Sequence, residues 1–235
     1  SPVEKISQTS LTAYCKLDET SGSRADSKGS NTLTDNATVT YAPGRLGNAA
    51  DFESGNSEYL SITDNSDLSM GDIDFSIGAW VKFESISGFM SIVAKWETTG
   101  NNREYELAYS TASSRFECLV SNDGTNSTQA NSTFGAAVTD TWYFVSCYHD
   151  SVNNQIGISV NNGPVDTASY TTGGRDGTSS LIIGARSNPA GQYWDGLIDE
   201  VAFWKRTLTA DERARLYQDG LDLHGAGSGR IYRAR

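Results

Sequence analysis

The residues of this chain that could do chemistry fall into three groups, each pointing to a different chemistry. The first is an oxygen-rich turn. Asp26-Ser27-Lys28-Gly29-Ser30-Asn31 offers the Asp26 carboxylate, a backbone carbonyl near Gly29 and the Asn31 amide, the mixture of hard oxygens that Ca²⁺ prefers. The competing reading is an Asx turn, in which Asp26 accepts hydrogen bonds from its own backbone and holds no metal. The second group combines flat apolar faces with planar polar ends: Trp96, Arg103, Tyr105, Tyr109, Arg186, Gln192, Tyr193 and Trp194. Sites for sugar hydroxyls are built from such residues. The densest piece is Asn188-Pro189-Ala190-Gly191-Gln192-Tyr193-Trp194, two aromatics beside an amide with a stiffening proline.

The third group is carboxylates. Glycoside hydrolysis needs two carboxyls roughly 5–9 Å apart across the sugar. Glu104 and Glu106 share a strand face through Glu-Tyr-Glu, but nothing else marks them as acid and nucleophile, and they read as solvated strand acids. Asp199 and Glu200 are adjacent, so on a strand they point to opposite faces. Asp64-Asn65-Ser66-Asp67 and Asp72-Ile73-Asp74 read as exposed turn acids that could at most hold a second cation. The histidines are His149 and His224, and no Gly-x-Ser-x-Gly elbow occurs. No catalytic residue is assigned.

These groups must be positioned by strands. Phe75, Ile77, Ala79, Val81 and Phe83 alternate with Ser76, Gly78, Trp80 and Lys82, the pattern of a strand laid over a core. Further strands are expected at 11–17, 49–52, 59–62, 91–96, 104–109, 115–120, 141–149, 155–160, 181–185 and 196–204. Asn122-Asp123-Gly124 and Asn161-Asn162-Gly163-Pro164 supply turns between them. One helix is expected, opened by the capping box Thr209…Glu212 and stopped at Gly220. Trp80, Trp142 and Trp204 lie in apolar strands and are assigned to packing. Many short strands and one late helix make an all-β, two-sheet antiparallel sandwich or jelly roll. The expected organisation is an N-terminal tail over 1–10, one domain over 11–220, and a Gly-rich, basic C-terminal tail over 221–235, which includes Arg230, Arg233 and Arg235.

Composition removes several classes. Among 235 residues, 18 basic against 29 acidic side chains leave a net charge of −11, which argues against nucleic acid as a partner, because such affinity comes largely from Lys and Arg on phosphates. The longest apolar runs are Trp142-Tyr143-Phe144-Val145 and Val201-Ala202-Phe203-Trp204. A spanning helix needs about 20 apolar residues, so no membrane insertion is expected. The polar opening SPVEKISQTS shows no signal-peptide core. Cys15, Cys118 and Cys147 are too scattered for a disulfide framework or zinc site and read as buried free thiols, though two could pair if their strands are neighbours.

Three stretches, in order, resemble the laminin-G-like jelly roll of the concanavalin A-like lectin/glucanase superfamily. They are Leu17-Asp18-Glu19-Thr20-Ser21-Gly22 with the Asp26–Asn31 turn; Gly44-Arg45-Leu46-Gly47-Asn48-Ala49-Ala50-Asp51-Phe52 with the strands after it; and Gly196-Leu197-Ile198-Asp199-Glu200-Val201 with Trp204 and the following helix. Order and spacing hold from about 11 to 218. The resemblance implies two curved antiparallel sheets and, in many relatives, a structural calcium. For this chain the implied metal set is Asp26, Gly29 and Asn31, with Asp199 placed across from them. Lys28-Gly29-Ser30-Asn31 departs from the neutral Ser-Gly-Asn-Gly run of relatives. The Glu-x-Asp-x-x-Glu run of catalytic relatives is absent.

The expected function is a non-catalytic carbohydrate- or surface-binding module, with a glycan or cell-surface polysaccharide as partner. Its sugar-binding residues are Trp96, Arg103, Tyr105, Arg186, Gln192, Tyr193 and Trp194. The rival is a phage virion decoration or appendage protein, held to capsid or tail proteins through its tails. A glycoside hydrolase is the third reading. Either leading reading places the chain in a virion or outside the cell, made without a visible signal peptide.

Overall fold

A computed structural model describes residues 3–4, 8–186 and 191–226, the last five by backbone alone. The described residues form strands β1 (Leu11–Cys15), β2 (Thr34–Asn36), β3 (Thr40–Pro43), β4 (Asn48–Phe52), β5 (Tyr59–Ile62), β6 (Phe75–Phe83), β7 (Phe89–Glu97) and β8 (Asn102–Ser110). They continue with β9 (Arg115–Val120), β10 (Thr128–Asn131), β11 (Trp142–Asp150), β12 (Gln155–Val160), β13 (Asp166–Ser169), β14 (Leu181–Ile183) and β15 (Gly196–Trp204), before helix α1 (Ala210–Ala226). One sheet runs β13-β12-β11-β6-β15-β4-β3, with β1 also on β15; the other runs β10-β9-β8-β7-β14-β5-β2. All pairings are antiparallel, and the two sheets make the jelly-roll sandwich.

The alternation in β6 explains how the layers close. Phe75, Ile77, Ala79, Val81 and Phe83 point into the core between the sheets, against Tyr105, Leu107, Tyr109 and Phe116 of the facing sheet. Each of the larger of these, Phe75, Ile77, Val81 and Phe83, contributes about 1.5–3 kcal/mol on burial. Trp80 points the other way and joins Tyr14, Phe144, Trp204 and Leu216 in a second apolar layer, where α1 covers the outer face of the first sheet. Tyr217 of α1 stacks on Trp80 at 5.6 Å.

Three expectations are corrected. Gly220 does not end the helix, which continues to Ala226. A Cβ at Gly220 would lie 2.6 Å from the Trp80 ring, so this glycine serves close packing rather than termination. Cys118 and Cys147 are not free thiols: they form a disulfide with Cα atoms 5.8 Å apart. Their strands, β9 and β11, belong to opposite sheets, so the thiols meet across the core and not as neighbours in one sheet. Cys15 remains free and buried. Finally, the four strands that periodicity did not mark, β2, β3, β10 and β13, are the end strands of the two sheet orders. The N-terminal tail falls partly, and Arg230, Arg233 and Arg235 entirely, outside the described residues. Among the described residues, no helix is long and apolar enough to cross a membrane.

Candidate functional site

The Asp26 turn shows how one carboxylate can be fully occupied. Asp26 Oδ1 accepts from the amides of Tyr14 (2.9 Å) and Lys28 (2.8 Å), while Oδ2 accepts from the Asn31 amide (3.2 Å) and side chain (2.8 Å). Burial alone would raise this carboxyl; the donors from Tyr14, Lys28, Asn31 and Gly29 outweigh it and hold the pKa below its usual value. The Asn31 side-chain nitrogen also lies 3.3 Å from Asp67 Oδ2 and 3.5 Å from the Thr12 carbonyl. Side-chain amide oxygen and nitrogen are interchangeable by a simple flip. The flipped Asn31 would complete a set of oxygens from Asp26, Asn31, Thr12 and Asp67, which suits Ca²⁺. Gly29 packs against this set, where a Cβ would come 3.0 Å from Asp26 Oδ2.

Asp199 does not join it. Tyr14 pairs with Ala202, and Thr12 donates to the Phe203 carbonyl. Asp199 lies three residues back along β15, roughly 10 Å at the rise of a strand. Its Oδ2 instead accepts from the amides of Arg45 (2.7 Å) and Leu46 (2.9 Å), holding the turn between β3 and β4. Its Oδ1 is buried without a hydrogen-bond partner. Burial first, and then the neighbouring Glu200, push Asp199 well above the usual carboxylate range.

The nominated sugar residues divide by face. Tyr105 is fully buried in the core and donates its hydroxyl to the Leu68 carbonyl at 2.8 Å. Trp194 is also fully buried, with its ring 4.3 Å from Phe83. Both are corrections: alternation turns these two rings inward, and neither can meet a ligand. Tyr109 is buried likewise and accepts from the Ala137 amide.

Trp96, Arg103 and Arg186 share the outer side of the second sheet. Trp96 is itself buried there in a small apolar cluster beneath the two guanidinium groups, so it too is a correction and cannot meet a ligand. Arg103 and Arg186 lie over the Trp96 ring at 5.8 and 5.7 Å, and Arg186 also covers Phe89 at 4.8 Å. Arg186 is fixed by Glu106, which accepts from Nε at 3.1 Å and from Nη2 at 2.6 Å. Glu106 is fully buried and Glu104 nearly so, the latter 2.6 Å from Lys95 Nζ, so the expected solvated acids are structural ion pairs.

Phe89 links this row to a cavity of about 330 Å³ whose walls include Ser54, Ser85, Ser87, Gln192, Tyr193 and Asp195. The cavity is positioned by what its wall residues do with their backbones. The Gln192 carbonyl accepts from the Ser91 amide at 2.9 Å, and the Trp194 amide donates to Gly184 at 2.8 Å. The buried Trp194 ring therefore anchors a segment that leaves Gln192 exposed and Tyr193 half-exposed. Tyr193 faces Tyr59 at 6.5 Å. Asp195 Oδ2 accepts from the Ser54 amide and hydroxyl, and its carbonyl accepts from the Glu84 amide at 3.0 Å. Gly196 follows because the backbone is left-handed there (φ +124°) and a Cβ would sit 2.4 Å from the Lys82 carbonyl. Asn188, Pro189 and Ala190 of the nominated loop lie outside the described residues.

Beside the cavity is a carboxylate corner that sequence reading missed. Asp51, Glu53 and Glu84 each place an oxygen within 4.8 Å of the others. Burial, followed for all three by neighbouring acids, raises each pKa. The signal was not local: β4, the turn after it and the end of β6 meet only through the sheet pairing of β15 with both strands.

Comparison with known proteins adds the family. The family model for the concanavalin A-like lectin/glucanases superfamily matches residues 54–212. Among solved structures, domain 4 of AbnA, a GH43 extracellular arabinanase from Geobacillus stearothermophilus, in complex with arabinotriose, is 18% identical, with TM-score 0.67 over 90% of this chain and 100% of that one. The binding domain of Paraclostridial Mosquitocidal Protein 1 is 13% identical, with TM-score 0.74 over 89% of this chain and 52% of that one. The botulinum neurotoxin serotype D ligand binding domain, in complex with N-acetylneuraminic acid, is 12% identical, with TM-score 0.68 over 93% and 53%. The chain thus spans about half the length of the toxin binding domains. No curated protein matches it in sequence.

Proposed function

The chain belongs to the concanavalin A-like lectin/glucanases superfamily, and on that footing we propose that it is a non-catalytic carbohydrate-binding module working through the Phe89–Gln192–Tyr193 cavity. The cavity itself carries this reading. Aromatic rings offer the apolar faces of a sugar a platform, and the Gln192 amide and serine hydroxyls offer convergent hydrogen-bonding groups. Two fold neighbours hold saccharides in their own structures, arabinotriose in one and N-acetylneuraminic acid in the other, which supports the choice of ligand class. The reading needs no acid–base pair, and Glu104 and Glu106 are committed to Lys95 and Arg186. Glycan ligands place the chain outside the cell or on a virion surface, a setting that the Cys118–Cys147 disulfide supports, since such bonds persist where conditions are oxidising. The virion-component reading leans on the tails, most of which lie outside the described residues.

The test is calorimetric titration with a panel of oligosaccharides. Binding at millimolar affinity or tighter is expected, weakened about tenfold or more by Gln192→Ala with Tyr193→Ala, with the melting temperature kept. Failure of every saccharide to bind would overturn the proposal.

A calcium ion on Asp26, Asn31, Asp67 and the Thr12 carbonyl is the second part of the proposal. These residues fit it because a flip would put the Asn31 side-chain oxygen where the nitrogen lies, 2.8 Å from Asp26 Oδ2, 3.3 Å from Asp67 Oδ2 and 3.5 Å from the Thr12 carbonyl, so that four oxygens would be neighbours. The ion would tie the opening loop to the segment before β6. It would supply no chemistry to the sugar.

A further inference from the structure

We infer that the cavity selects its saccharide by charge, taking a sugar with a free amino group and rejecting carboxylated ones; this rests on the carbohydrate-binding reading above. Among the described residues, the wall contains one charged side chain, Asp195, and no lysine or arginine. Two wall serines, Ser54 and Ser85, directly follow the exposed acids Glu53 and Glu84. Behind them Asp51 completes the corner in which the three carboxylates lie within 4.8 Å of one another.

These acids press on each other, and little answers them. Burial and then Asp51, Asp195, Glu84 and Glu58 raise Glu53. Asp140 adds to the field at Glu84, while Lys82 opposes it there and at Asp51. Asp51 Oδ1 is buried with no hydrogen-bond partner. The nearest guanidinium on the Phe89 side, Arg186, has its charge met by the fully buried Glu106. An ammonium group entering the cavity therefore meets negative potential from several directions, and a carboxylate meets the same field as repulsion. In a water-like medium one charge about 6 Å away changes binding roughly threefold, so two or more acids acting together predict about tenfold.

The test titrates the full chain with a glucosamine oligomer, its N-acetylated counterpart and a sialylated oligosaccharide, at low salt and at about 0.3 M salt, where the screening length is short. The expected result is about tenfold tighter binding of the amino form than the acetylated one at low salt, with the sialylated sugar weakest. That advantage should shrink towards unity in high salt and in Glu53→Gln with Glu84→Gln, while the acetylated sugar binds the variant as before. Equal binding of amino and acetylated oligomers, or sialylated binding as tight as the amino form, overturns the charge selection and leaves the carbohydrate-binding reading standing. Amino-sugar binding that survives Tyr193→Ala also overturns it, as attraction to the acidic surface at large. No binding of any sugar overturns both.

Discussion

Two carboxylate regions of this molecule use the same residue types in opposite ways. At the opening turn, Asp26 is ringed by N–H donors from Tyr14, Lys28 and Asn31, and its pKa falls. At the cavity corner, Asp51, Glu53 and Glu84 meet one another, and theirs rise. Removing the first acid strips the turn of its acceptors; removing a member of the second relieves repulsion. A carboxylate's worth to the fold is therefore set by what faces it.

The largest expected effect breaks the turn. Asp26→Ala leaves buried amide donors unpaired, and each such group costs about 1–3 kcal/mol. A total loss of about 2–4 kcal/mol is expected in urea unfolding, after allowing for relaxation of the loop. Glu53→Gln in the same measurement should fall within about 0.5 kcal/mol of the parent. A mild Asp26→Ala beside a damaging Glu53→Gln would reverse the contrast between the regions.

Calcium sharpens it at an intermediate size. An ion at a hundred times its dissociation constant stabilises by about 2.7 kcal/mol, which for a domain of this length raises the melting temperature by roughly 5–10 °C. Chelation should remove that shift in the parent chain, and Asp67→Ala should abolish it by removing an exposed ligand. A melt unmoved by chelator would leave the opening turn as a plain Asx turn.

How much of this was legible in the sequence follows from burial. The inner strands could be read because one face or both are covered: β6 alternates cleanly, and Phe75 through Phe83 fall where the pattern puts them. The edge strands β2, β3, β10 and β13 are short and largely unburied, so no apolar period marks them. At the site, Gln192 and Tyr193 were legible as a polar and an aromatic residue in one loop. Residue type could not say that the next ring, Trp194, turns inward while Tyr193 faces out. Ser54, the Ser85–Phe89 connection and the Gln192–Asp195 segment are far apart in the chain and are joined by non-local pairing, which no local spacing encodes. The Asp67 contact with Asn31 was hidden for the same reason.

The smallest effect separates the two kinds of acid by pH. Asp51, Glu53 and Glu84 have folded-state pKa values raised above their unfolded ones. The folded state therefore binds protons more readily, and the stability they confer is present below the unfolded pKa and lost as pH rises through the folded one. Lowering pH from 7 towards 5 should relieve this corner. Glu212 behaves oppositely: the hydrogen bond from Arg206, against burial and with help from Thr209, brings it down to about 2. Its stabilisation is complete above the unfolded value near 4.5 and is lost as pH falls from there towards about 2, loosening the start of α1. Stability is thus expected to rise slightly between pH 7 and 5 and then fall, with the helix giving way on the acid side. Asp199 and Glu104 are raised as well and share in that rise. Glu53→Gln with Glu84→Gln should therefore diminish the rise without abolishing it and leave the fall untouched, whereas Glu212→Gln should soften the fall alone. Melting curves of the three proteins across that range test it: a rise as large in the double variant as in the parent would mean the cavity acids do not repel one another in solution, and the charge contrast between the two regions would fail with it.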